Sequence, residues 1–109
     1  MSNLTRVVLE KIQPKRMAKY GEYAGYKYNV CIFRVIDDNY ELNNERVFMN
    51  VFDRQIGNDS SPHNIIRQHL KPGTVFEGVL IVTYNLPNRK RKYHIHNFTG
   101  NITVKNYKQ

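Results

Sequence analysis

The chain has 109 residues, 40% of them apolar and 12% aromatic, which suits one folded domain with a modest core and not a disordered tail. No apolar run approaches the roughly 18 residues of a membrane span, the charged N-terminus does not read as a signal peptide, and the single cysteine, Cys31, has no intrachain partner, so a reducing cytoplasm is expected. Seventeen Lys and Arg against nine Asp and Glu leave a net charge of +8, which favours a polyanionic partner, nucleic acid before a membrane surface.

"LTRVVLEKI" (Leu4–Ile12) is rich in β-branched residues and reads as a first strand. A Tyr/Gly/Lys stretch follows, "PKRMAKYGEYAGYKY" (Pro14–Tyr28), with four tyrosines among four cations and a single acid. A second strand starts at about Tyr26 and runs through "NVCIFRVI" to Ile36. Asp37–Glu45 holds four acids and no base and reads as a loop. In "RVFMNVF" (Arg46–Phe52) Val47, Met49 and Val51 alternate with Arg46, Phe48, Asn50 and Phe52, which predicts a third strand with two distinct faces.

"SSPHNIIRQHLKPG" predicts the one helix, with Ser60 or Ser61 as N-cap, Pro62 at its first position, Lys71 near its end and Pro72-Gly73 as the stop. Ile65, Ile66 and Leu70 are its expected buried stripe. A long fourth strand covers Thr74–Tyr84, where Gly78 suggests a bulge or bend. The basic stretch Asn85–Lys92, "NLPNRKRK", is expected to be a hairpin loop turning at Pro87-Asn88. "YHIHNF" and "NITVKNY" complete the chain as one strand broken, or two joined, at Gly100. One domain with five strands and a helix between the third and fourth fits an all-β OB-fold, a partly open Greek-key barrel.

"ERVFMNVFDRQ", the helix with "IIRQHLKPGTVFEGVLIV", and the basic hairpin with its final strand resemble the bacterial and phage single-stranded DNA-binding proteins. The shared phrase L-K-x-G-x-x-x-x-G-x-L falls on Leu70, Lys71, Gly73, Gly78 and Leu80, and the likeness runs from about Leu4 to Val104. Two departures stand out: no tryptophan for base stacking, and an ending in "NYKQ" in place of an acidic, Phe-ended tail. The resemblance therefore implies a phage or plasmid version, acting in replication or recombination without tail-dependent recruitment of repair enzymes.

OB-folds bind oligonucleotides on the face of strands two and three, between the loops joining strands one to two and four to five. Here those loops are the two basic stretches. Single-strand binding needs cations to follow the backbone and rings for bases to stack on. The phosphate candidates are Lys15, Arg16, Lys19, Arg89, Lys90, Arg91 and Lys92, with Arg46 sharing the face of Phe48. The ring candidates are Tyr20, Tyr23, Tyr26, Tyr28, Phe48, Tyr84 and Tyr93. About half of these rings are expected to be structural, because a strand tyrosine usually packs its ring on the core edge. Tyr84 and Tyr93 are expected to pair across the hairpin, Tyr26 and Tyr28 to be framework, and Tyr20 and Tyr23 to be the freer stacking residues. The four carboxylates of Asp37–Glu45 would repel phosphate, so that loop is expected to turn away or to face a protein partner.

Other chemistry is weaker. His94 and His96 share a strand face, but no further ligands with metal-site spacing accompany them, so no metal or cofactor is expected. His63 and His69, six apart on the predicted helix, point roughly opposite ways. No nucleophile elbow, phosphate-cradling glycine loop or paired-carboxylate motif occurs. The expectation is a non-enzymatic protein that coats single-stranded DNA with little sequence preference, assembled as a dimer or higher oligomer because barrel edges are exposed. An RNA-binding OB module is the alternative, followed by a small His-dependent nuclease and a basic adaptor protein.

Overall fold

Among the described residues, β-branched and aromatic side chains fill a single antiparallel sheet of six strands, with one short helix. The computed structural model describes residues 4–37, 43–84 and 93–105. The strands are β1 (Thr5–Ile12), β2 (Arg16–Met17), β3 (Lys27–Asp37), β4 (Arg46–Phe52), β5 (Val75–Tyr84) and β6 (Tyr93–Lys105), and the helix α1 (Pro62–Arg67) lies between β4 and β5. Along the sheet the order is β2-β3-β1-β5-β6, with β4 paired to β3. The sheet curls so that β4 approaches β6, and α1 packs against both.

Alternation decides the faces. Thr5, Val7 and Leu9 of β1, Cys31, Phe33 and Val35 of β3, and Val47, Met49 and Val51 of β4 are all buried. Phe33 meets Phe76 of β5 edge-to-face at 6.1 Å, a favoured aromatic geometry. Phe98 and Ile102 of β6 close over Gly78, where a Cβ would stand 2.8 Å from each. The β5–β6 register shifts between Glu77 and Val79, so the irregularity expected at Gly78 is present. β6 is one strand from Tyr93 to Lys105, running through Gly100.

Two expectations need correction. A two-residue strand, β2, adds to the expected five. It pairs Arg16 with Tyr28 and Met17 with Lys27, so the tyrosine-rich stretch is a hairpin and not a free loop. Its tip closes through backbone bonds from Ala24 to Gly21 and from Gly25 to Ala18. Gly21 (φ 85°) and Gly25 (φ 88°) adopt the left-handed conformation that the turn requires.

The helix is also shorter than expected. Ser61 is extended at the N-cap and Pro62 opens the helix, as the sequence implies, but Gln68 already caps its C-terminus. Leu70 and Lys71 therefore lie beyond it, and the residues α1 buries are Asn64 and Ile66. His69 contributes to the stop: its Nδ1 lies 2.9 Å from the Ile65 carbonyl oxygen. Pro72-Gly73 instead forms the turn into β5, where the Gly73 N–H donates to the Leu9 carbonyl at 2.7 Å. No helix among the described residues is long and apolar enough to cross a membrane.

Candidate nucleic-acid interface

The outward face of β3 and β4 follows from the register. Tyr28 stands opposite Phe52, Ile32 opposite Phe48 and Arg34 opposite Arg46, while Val30, opposite Asn50 in the middle of this face, is buried. With Val47, Met49 and Val51 turned into the core, their neighbours must face outward. Phe48 thus lies on the outer face with Arg46 and Asn50, as the strand pattern predicts.

One end of this face is aromatic. Phe52 is surrounded by Tyr23 (5.1 Å between centroids), Tyr28 (5.5 Å), Tyr26 (6.4 Å) and His63 (6.1 Å). Tyr23 and Tyr26 also touch at 5.7 Å. The guanidinium of Arg54 lies 4.0 Å above the Tyr26 ring, within cation–π range. The hairpin carries Tyr23 and Tyr26, while β3 and β4 carry Tyr28 and Phe52. Tyr23 is therefore half-buried in the cluster and not freely projecting, which corrects its grouping with Tyr20.

Tyr20 stands apart from this cluster. It is 88% exposed at the hairpin tip. A cleft of about 530 Å³ lies beside it, lined by Arg16, Met17, Lys19, Tyr20 and Tyr28. Arg16, Lys19 and two tyrosines thus share one concave surface that continues from the aromatic end of the face. Lys15 is held differently, by an ion pair to Asp53 at 3.0 Å. The bond from Lys15 is the main cause that holds the Asp53 carboxyl below its ordinary range.

The loop after β4 is fixed by α1. Asn64, fully buried, donates to the carbonyls of Ile56 (2.8 Å) and Asn58 (2.6 Å) and accepts the Ile56 N–H (2.9 Å). Its neighbour His63 accepts the Phe52 N–H on Nε2 at 2.9 Å. Burial lowers the His63 pKa below its ordinary value of 6.5, which keeps the ring in the neutral form this bond needs.

The other expected residues divide in two. Tyr84 and Tyr93 are direct register partners where β5 ends and β6 begins, on a different ladder from Phe52. Arg89, Lys90, Arg91 and Lys92, the expected second wall, lie outside the described residues, as do Asp38–Glu41 of the acidic loop. Among the described residues no cluster of three or more metal-ligating side chains occurs.

Sequence reasoning passed over Phe52 and Arg54 as site residues, and treated His63 only as a poor catalytic partner. The alternation of β4 already set Phe52 beside Phe48 on the outer face, so it was within reach. Nothing in the local sequence marks Arg54.

No family model, no curated protein and no solved structure matches this chain.

Proposed function

We propose that the protein binds single-stranded nucleic acid, DNA first, along the outer face of β3 and β4 and the hairpin of residues 16–28, without a chemical step. The observation that carries the reading is the aromatic end of this face, a cluster of Tyr23, Tyr26, Tyr28 and Phe52 that opens into a basic cleft beside the exposed Tyr20. Rings on which bases stack, flanked by cations that track the phosphates, are what sequence-tolerant single-strand binding requires.

The strand arrangement supports an OB-type barrel as the scaffold. β1 pairs with both β3 and β5, β3 pairs with β4, β5 pairs with β6, and α1 sits between β4 and β5 in the chain. With β2 taken as an elaboration of the first loop, this order of pairing agrees with the connectivity expected of a five-stranded Greek-key barrel, whose second and third strands form the usual oligonucleotide face. The net charge of +8 adds the long-range attraction.

Titration of fluorescent oligonucleotides tests the reading. A dT homopolymer is expected to bind well above duplex of equal length. Its affinity should fall with salt by about 0.7 in log K per log unit of salt for each phosphate neutralised. Equal or stronger duplex binding would overturn the proposal. Preference for the RNA version of one sequence would move it to an RNA-binding module.

A further inference from the structure

At the end of the β3–β4 face away from the rings, Arg34 and Arg46 stand directly opposite each other. Like charges in that position repel. Glu10 relieves them: it accepts Arg34 Nε on Oε2 at 2.7 Å and lies 3.6 Å from Arg46 Nε through Oε1. Arg34 is fixed further by donating from Nη1 to the Asn44 carbonyl at 2.9 Å.

Glu10 reaches this pair from β1, across the ladder. The β1–β3 register runs from Leu9–Phe33 to Lys11–Ile32, and the irregularity falls on Glu10, which has no register partner. Bulges of this kind re-aim a side chain. The three side chains stay open to solvent, at 30% for Glu10, 32% for Arg34 and 62% for Arg46. Two guanidinium forks meeting one anion with two oxygens is also how arginines hold a phosphodiester.

We propose that Glu10 is an internal stand-in for a backbone phosphate: it occupies the Arg34–Arg46 pair in the free protein and yields it to a strand that crosses the face. The inference rests on the single-strand reading above. Glu10 then weakens binding and hides one or two phosphate contacts behind an internal ion pair. A strand must compete for those contacts.

Glu10→Gln keeps the shape and removes the charge. Its affinity for a dT homopolymer should rise about two- to fivefold at low salt, the scale of releasing a surface ion pair. Its salt slope should steepen by about 0.7–1.4, one or two additional phosphates. Adding Arg34→Gln should abolish the gain. Glu77→Gln is the control, because Glu77 is held by Arg6 (2.7 Å) and Lys105 (3.9 Å) on β5 and changes net charge equally. It should stay near wild type. Thermal melting of every variant verifies that it is folded, with Glu10→Ala as a second probe should the glutamine variant melt early. If the wild type binds single strands but Glu10→Gln binds no tighter than Glu77→Gln, this inference falls and the single-strand reading stands. If the wild type binds no single strand, both fall.

Discussion

The backbone N–H of Phe52 donates to Nε2 of His63 at 2.9 Å, tying the last residue of β4 to the first turn of α1 at the aromatic cluster. The bond needs an unprotonated Nε2, so the proton resides on Nδ1, 3.1 Å from Asn64 Oδ1. Burial lowers the His63 pKa and the nearby Arg67 charge adds to this, against the opposing bond to Asn64. A base whose folded pKa lies below its unfolded value stabilises fully above about 6.5, and that stability is lost as pH falls through the folded value. Urea unfolding should therefore show the wild type losing stability from about pH 7 to pH 5. His63→Gln, which offers an acceptor without a titrating ring, should lose less over the same interval. Asp53 and Glu77, both with lowered pKa values, act only at lower pH and equally in both proteins. Identical losses across pH 7 to 5 would exclude His63 as the cause.

Asn64 makes three hydrogen bonds to the backbone of Ile56 and Asn58 from a fully buried position. Asn64→Ala leaves those groups without their partner, and a buried unsatisfied group costs about 1–3 kcal/mol. A loss of about 3 kcal/mol or more is expected in denaturant titration, with the loop of residues 53–61 becoming the first site of limited proteolysis.

Gly78 has no room for a methyl group. The Cβ would meet Phe98 Cδ1 and Ile102 Cγ2 at 2.8 Å, so both must shift. Gly78→Ala should destabilise by about 1–3 kcal/mol, the usual cost of overpacking. Thermal or urea unfolding checks this, and an unchanged midpoint would show that β6 yields easily.

Tyr20 and Tyr23 should separate binding from stability. Tyr20 is solvated, so Tyr20→Ala should move stability by less than about 0.5 kcal/mol. It should still cost about 1–3 kcal/mol in oligonucleotide affinity. Tyr23 packs on Phe52 and Tyr26, so Tyr23→Ala should lower the melting temperature as well as affinity. Unchanged oligonucleotide affinity in both variants would remove the hairpin from the interface.

Cys31 is fully buried, and burial pushes its thiol up to about pKa 12. Only the thiolate reacts readily. A thiol reagent at about pH 8 should leave the native protein unmodified and label one group at once in denaturant. Rapid native labelling would mean that β3 opens locally.

Strand pattern carried the farthest from sequence to structure. The alternation from Arg46 to Phe52 assigned both faces of β4, because a half-buried strand leaves no other choice for Val47, Met49 and Val51. The tyrosine-rich stretch, whose Gly21 and Gly25 take the positive φ of its turn, was legible as a carrier of rings and cations. That Tyr23 packs on Phe52 was not, since those residues meet only across the fold. The role of Asn64 was not legible, because nothing in the helix pattern marks a polar residue as buried, yet it is the residue the loop is built around. Glu10 was hidden because a bulge is set by the register of two strands, and one strand alone does not reveal it.

The two-residue β2 has a consequence for the behaviour of many copies together. It forms one boundary of the sheet, where unpaired backbone groups invite another chain to add itself. Pro14 precedes it, and Lys15, Arg16 and Lys19 lie in or beside it. A strand so short, so positive and bounded by proline is a poor template for a second copy. The charges that draw a polyanion toward this hairpin are thus the same ones that protect a concentrated solution of the protein from aggregating through that edge.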